Sequence, residues 1–357
     1  MFKPTTLISG STSATIGAVV IGRNEGDFLA ASLNAVVSSL KQCHLNIDSA
    51  ITSLVVYVDS GSTDDSVAIA KTLSIPVIEL STDEPFTAAR AYNAGFQFLR
   101  QHLRSLQFVQ FVDGDCIIDI NWISAAYQTL KPNPSLSVVC GYIREKHRDQ
   151  SPYNKLMDID WQMPLGEVNE CAGNTLMRAA HFEAVGGFNP KMMAGEEPEF
   201  SLRLRRAGGK IVSINAISAL HDARMVCFAQ WWQRSRREGN AYTEAALMHG
   251  RAVERHRVRE SLIILFWGCL LPLTAISSIS LTHSWSLALL GLYAFAWLKI
   301  TVNTHKKQNI TPPDAMLYAT FCLLSKFPRF LGQLNYIWHL IQRKTPKLIE
   351  YRLTSID

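Results

Sequence analysis

Asp113-Gly114-Asp115 sets two carboxylates two residues apart, directly after the apolar run Phe108–Val112. At the carboxyl end of a buried strand such a pair can hold a divalent cation against a diphosphate, because hard cations take oxygen ligands. If the segment is extended, side chains at i and i+2 point the same way and both carboxylates face one ion. The tripeptide alone carries little, since Asp-Gly is also ordinary turn chemistry. Its neighbours give it meaning. Arg23, Asn24 and Glu25 follow a first apolar run, Ile16–Ile21, and Asp59, Asp64 and Asp65 follow a second, Leu54–Val58. In open α/β sheets ligands bind outside the carboxyl ends of the strands, so these clusters converge on one rim.

The scaffold that must position them is legible as alternation. Strands are predicted at Ile16–Ile21, Leu54–Val58, Pro76–Leu80, Phe108–Val112, Val138–Ile143 and Lys210–Ile214. Helices are predicted at Asp27–Leu40, Ser66–Leu73, Thr87–Leu103 and Pro198–Ala207. That order predicts an α/β domain over residues 15–250, a mixed, mainly parallel sheet flanked by helices. Neither G-x-G-x-x-G nor a Walker A sequence is present, which argues against a dinucleotide or a P-loop nucleotide.

The remainder is different in kind. From Ser261 to Leu298 there is no Asp, Glu, Lys or Arg. With about 20 residues needed per span, the stretch 261–301 predicts a hairpin of two membrane helices turning at Thr282–Ser284. Arg251, Arg255, Arg257 and Arg259 precede it and Lys306 and Lys307 follow it, so both ends are expected in the cytoplasm. Residues 315–341 carry Lys326 and Arg329 among aromatic residues and read as an interfacial amphipathic helix, or a third one packed on the hairpin. Residues 251–345 thus form a membrane-associated helical region followed by a tail at 346–357, and another tail, 1–14, precedes the α/β domain. The tail at 1–14 lacks the apolar core of a signal peptide, and the catalytic part is expected at the cytoplasmic face of the inner membrane. The net charge of +5 is modest and clusters beside the apolar spans. Membrane lipid, rather than nucleic acid, is the expected partner of that charge. The seven cysteines are scattered without C-x-x-C spacing and suggest neither zinc nor a disulfide framework.

Four segments together, Val20–Glu25, Val58–Ser66, Asp113–Asp115 and Gly195–Gly208, resemble the family 2 inverting glycosyltransferases of the GT-A fold. The resemblance covers roughly residues 15–225. It implies a nucleotide-diphospho-sugar donor, a UDP-sugar foremost, with Mn²⁺ or Mg²⁺ and transfer to a hydroxyl acceptor on a saccharide or lipid-linked carrier. By the same resemblance Arg23, Glu25 and Asp59 form the nucleoside pocket. Arg90 is directed at the diphosphate, and Asn93 and Gly95 match an N-x-G turn. Asp113 lies near ribose and metal, Asp115 is a direct metal ligand, and His221 is a further ligand. Gly173 and Asn174 line the donor sugar. Of the acidic pair Glu196-Glu197, the second is implied as catalytic base, with Glu196 and Glu199 as substitutes. Pro198 would then open a helix, leaving Glu197 at its cap. Two other classes compete: a catalytically silent, membrane-bound sugar-nucleotide sensor or assembly protein, and a sugar nucleotidyltransferase, which would want a glycine-rich basic loop where Arg23-Asn24-Glu25 stands.

Overall fold

The computed structural model describes residues 14–47 and 49–343. Of the tails expected at 1–14 and 346–357, only Ala14 is described, and it is buried in the core rather than part of a tail; the rest lies outside the described residues. Contacts divide the chain into two compact units. The first comprises the chain up to Lys146 with Trp161–Met192 and Glu196–Ala223; the second comprises His147–Asp160, Met193–Gly195 and the chain from Arg224 onward. The division after Ala223 falls earlier than residue 250, because the Phe228–His249 helix packs with the later helices.

Among the described residues nine strands occur, all in the first unit: β1 (Thr15–Gly22), β2 (Thr52–Asp59), β3 (Val77–Glu79), β4 (Phe108–Asp113), β5 (Cys116–Ile118), β6 (Leu136–Glu145), β7 (Gly166–Val168), β8 (Leu176–Arg178) and β9 (Lys210–His221). They form one sheet in the order β3-β2-β1-β4-β8-β6-β9-β5, with β7 paired to β9. The longer pairings, β1 with β2 and β4 and β6 with β9, are parallel; β8, β5 and β7 join antiparallel. The expected mixed, mainly parallel sheet flanked by helices is the architecture found.

The reason is written in β1. Its alternate side chains Ile16, Ala18 and Val20 enter one core with Leu29, Leu33 and Val36 of the Asp27–Asn46 helix and Trp122 and Ile123 of the Trp122–Leu130 helix. Val19 and Ile21 enter the other, with Tyr92, Phe96 and Leu99 of the Ala88–His102 helix and with Phe182 and Phe200. A strand buried on both faces reads as a continuous apolar run, and each Val, Ile or Leu so buried contributes about 1.5–3 kcal/mol. Gly95 is not in a turn, as its resemblance implied. It lies within the Ala88–His102 helix, where a Cβ would collide with Val19, so its smallness lets helix and sheet approach. Asn93, in the same helix, binds the backbone of Phe188 in both directions, donating to its carbonyl at 2.7 Å and accepting its N–H at 3.0 Å.

In the second unit, Val258–Ser277 and Trp285–Gln308 are helices long and apolar enough to cross a membrane. They lie against each other as a hairpin: the Ser286 hydroxyl donates to the Ala275 carbonyl at 2.7 Å, and that of Tyr293 to the Trp267 carbonyl. The turn holds His283 and Ser284 at positive φ. Leu262, Phe266, Leu273, Ile276, Leu292, Phe295 and Leu298 are exposed along them. Residues 315–341 are two helices, Pro312–Leu324 and Lys326–Ile341, rather than one. The second packs on the Phe228–His249 helix at Gly239 and Gly332, each of which meets the other helix's backbone where a Cβ would not fit.

Candidate active site

β4 ends at Asp113, and Gly114-Asp115 form a turn into β5. The segment is therefore not extended, and the two carboxylates reach different partners. Asp113 Oδ1 accepts from the Tyr92 hydroxyl at 2.7 Å. Asp115, 3% exposed, meets His221 Nε2 at 2.8 Å through Oδ2. That contact follows from strand register: β5 runs antiparallel to β9 with Cys116 opposite His221, so the residue before Cys116 falls beside the imidazole. Gly114 is required here, because a Cβ would lie 2.8 Å from the Ile21 carbonyl of β1.

Asp115, Cys116 and His221 bring one potential ligand atom each within 4.8 Å of one another. Asp113 is not in that group. Burial, then the Asp113 charge, pushes the Cys116 thiol well above its ordinary value, and its Sγ accepts an N–H from Asn174 at 3.2 Å. Metal-binding sulfur is thiolate, so the donors that suit a cation are the carboxylate and the imidazole. With diphosphate oxygens added, that set fits Mn²⁺ or Mg²⁺. The Trp161 ring stands edge-on to His221 at 4.5 Å and fixes its plane.

Opposite lies the first turn of the Glu196–Arg206 helix. This helix opens at Glu196, two residues before the proline, so Glu197 is inside the first turn rather than at the cap. Pro198 is tolerated there because the first four N–H groups of a helix have no intrahelical partner. Glu199 is unsuited to serve as a base. It is 1% exposed and accepts both Nε and Nη2 of Arg203, at 2.8 and 2.7 Å, while Arg203 also binds the Val185 and Gly187 carbonyls. Glu196 is buried and Glu197 half-buried.

The loop Cys171–Asn174 brackets the two sides. Asn174, at φ 58 and 1% exposed, accepts the Asp113 N–H at 3.3 Å. Cys171 is tied to the helix side: its N–H donates to Ser201 Oγ at 3.0 Å, and its thiol lies 3.2 Å from the same Oγ and 3.9 Å from the Glu197 carbonyl. Between these anchors sits Gly173, where a Cβ would be 3.1 Å from Asp113 Oδ2 and 3.8 Å from Glu197 Oε1. Both carboxylates thus approach the same point beside Gly173, where a larger residue would press on Asp113. Tyr92 feels both: burial, then Asp113 and its hydrogen bond, then Glu197, push its phenol well above the ordinary value.

The remaining expected residues hold loops. Asp59, 2% exposed, accepts from Tyr57 hydroxyl at 2.9 Å, Gly61 N–H at 3.0 Å, Ser62 N–H at 2.8 Å and Ser62 hydroxyl at 2.5 Å. Four donors fill the capacity of a carboxylate. Arg90 donates to the Ser81 and Glu84 carbonyls, both at 2.8 Å, and so ties the loop before its own helix. Exposed Arg23 lies over the Phe86 ring at 5.5 Å, and buried Glu25 donates its N–H to Ser66 at 3.1 Å. Asn174 binds protein atoms with both ends of its amide. Sequence reasoning missed Tyr92 and Cys116, since nothing in a helical Tyr or a strand Cys signals its partner across the sheet.

Comparison with known proteins bears on this arrangement. The family described as Glycosyl transferase family 2 matches residues 18–186. No curated protein matches the chain closely enough to count as a relative. Among solved structures, a mannosyltransferase from Pyrobaculum calidifontis, in complex with GDP-Man and Mn²⁺, is 15% identical with a TM-score of 0.61, over 92% of this chain and 88% of that one. TarS from S. aureus, residues 1–349, is 13% identical with a TM-score of 0.46 over 91% of both chains. Glucosyl-3-phosphoglycerate synthase from Mycobacterium tuberculosis is 19% identical with a TM-score of 0.41 over 59% of this chain and 73% of that one. At these identities the first likeness speaks for the fold. The match thus marks a Glycosyl transferase family 2 domain over residues 18–186, and the sheet order and the likeness to the mannosyltransferase give it the GT-A fold.

Proposed function

We propose that this glycosyltransferase moves a sugar, with inversion, from a nucleotide-diphospho-sugar, a UDP-sugar foremost, to a hydroxyl of a lipid-linked saccharide or envelope polysaccharide intermediate. The observation that carries the reading is the approach of Asp113 and Glu197 to one point beside Gly173. An inverting transfer needs a base on the face of the sugar opposite the leaving group, and two carboxylates that come from different elements and meet beside Gly173 support that division of labour. Glu197 takes the proton from the acceptor hydroxyl as the new glycosidic bond forms and the bond from sugar to diphosphate breaks. Asp113, steadied by Tyr92, orients the donor on the other side. Asp115 and His221 are the residues that would hold Mn²⁺ or Mg²⁺. When bound, the ion offsets the negative charge that grows on the departing nucleoside diphosphate.

Arg23, Glu25 and Asp59 form the nucleoside end in this reading, and a nucleoside donor must displace one of the four bonds Asp59 now accepts. Arg90 reaches a diphosphate only by releasing the Ser81 and Glu84 carbonyls. The exposed apolar faces of Val258–Ser277 and Trp285–Gln308 support insertion in the inner membrane, and Arg251–Arg259 and Lys306-Lys307 support cytoplasmic ends. A bilayer-anchored enzyme meets its acceptor most readily when that acceptor is also held in the bilayer.

The test is turnover, scored with UDP-, GDP- and dTDP-sugars and Mn²⁺ or Mg²⁺ as both donor hydrolysis and transfer to membrane lipid extracts. Activity is expected with one nucleotide class, and is expected to disappear with EDTA and in Asp115→Ala. Donor binding without turnover under any of these conditions would instead establish the silent sugar-nucleotide-binding protein.

A further inference from the structure

An open groove of about 390 Å³ lies against the start of the Val258–Ser277 helix. Its polar end carries Glu254, Arg255 and Arg259, and its wall is made by apolar residues including Leu262, Phe266 and Trp267. Arg259, Leu262 and Phe266 share one helical face by their spacing of three and seven residues. Phe266–Leu270 is a π-helical turn, wider than the α-helix it interrupts.

The arginines of this run do not act alike. Arg257 lies over the Tyr242 ring at 5.0 Å, and the neighbouring His256 is buried beside the His249 ring. Arg255 and Arg259 are exposed and line the groove. Arg255 and Arg257 both adopt positive φ, 46° and 58°, which residues other than glycine take rarely. The chain therefore turns sharply here, leaving Arg255 at the groove and Arg257 on Tyr242. The two exposed arginines thus line the groove together with apolar residues, at the place where the charge-free stretch from Ser261 begins.

We propose that this groove binds one anionic glycerophospholipid of the surrounding bilayer, its phosphate between Arg255 and Arg259 and its acyl chain along Leu262, Phe266 and Trp267. The proposal rests on the reading of Val258–Ser277 as membrane-inserted. Two arginines against Glu254 leave the lining with a single positive charge, which matches a monoanionic head group and disfavours a polyanionic one. An exposed groove of this composition is complementary to a lipid along its whole length, in charge at one end and in hydrophobicity at the other.

The experiment is native mass spectrometry of the full chain purified in neutral detergent and titrated with phosphatidylglycerol or phosphatidylcholine. One phosphatidylglycerol is expected to bind ahead of phosphatidylcholine. Near a membrane surface each arginine contributes on the order of a five-fold change in affinity, so R255Q/R259Q is expected to weaken phosphatidylglycerol binding roughly 30-fold. R255K/R259K is expected to retain most of it. Equal occupancy by the two lipids in the unaltered protein, or undiminished phosphatidylglycerol binding in a folded R255Q/R259Q variant, overturns the proposal. Should the glutamine pair fail to fold by circular dichroism, the lipid comparison on the unaltered protein decides. If the full chain is soluble without detergent, the membrane reading itself fails; if it needs detergent yet shows no lipid preference, only the groove assignment does.

Discussion

Carboxylates are treated in two ways in this molecule. In the first unit, Asp113 is matched to a Tyr92 hydroxyl and Asp115 to the His221 imidazole. In the second, Asp158 and Asp314 share the Arg148 guanidinium at 3.0 and 2.7 Å, and Glu238 accepts Arg329 Nε at 2.9 Å. Although burial opposes it, Arg329 and then Arg234 hold the Glu238 carboxyl below its ordinary value. Asp160, beside Glu238, goes the other way: burial and the Glu238 charge raise it. The difference separates two uses of charge. A carboxylate bound to a fixed guanidinium is finished as a structural element, whereas Asp113 and Asp115 meet a hydroxyl and an imidazole, and the imidazole is itself a group able to bind a cation.

The sharpest way to break this comparison is Glu197→Gln. It removes the proposed base and is expected to lower kcat by roughly 10²- to 10⁴-fold, with donor affinity and thermal stability nearly unchanged. A loss of stability in place of activity would put Glu197 with the structural carboxylates. Glu238→Ala should do the opposite. It strands a largely buried guanidinium, which is expected to cost about 2–3 kcal/mol in a denaturant titration, while activity per folded molecule persists.

The smallest effect concerns Glu244, which burial pushes up to about 7 despite a hydrogen bond from the Met193 backbone. Its acid is held more tightly by the folded state than by the unfolded chain. Stability from this group is therefore intact below the unfolded value near 4.5, falls as pH rises toward 7, and stays reduced above it. Glu244→Gln is expected to raise Tm by roughly 3–6 °C at pH 8 and to change it little at pH 4. A rise of equal size at both pH values would show that ionisation is not the cause.

Much of the fold was legible because β1, β2 and β4 are buried on both faces and leave unbroken apolar runs. Their carboxyl-end clusters were legible for the same reason, since strand ends mark a sheet's rim. What escaped was short or crossed by polar residues. β5 has three residues, too few for any periodicity, and β9 runs on to His221 past Asn215, where apolar alternation breaks. The true setting of Asn93 and Gly95 was hidden because a glycine that admits a neighbouring strand looks, in one dimension, like a glycine that makes a turn. Arg90 and Asp59 were found as residues, but their present partners, loop backbone groups for both and the Tyr57 and Ser62 hydroxyls for Asp59, leave no recognisable pattern in one dimension.

The contact of Asp115 with His221 spans 106 residues. Its two halves emerge from the ribosome far apart in time, at about 5–20 residues per second. Until β9 has been made and laid against β5, a growing chain holds the carboxylate without the imidazole. The pair is thus a mark of completion: a chain interrupted before β9 has the β1 and β2 loops but lacks the imidazole that is proposed as the second ligand.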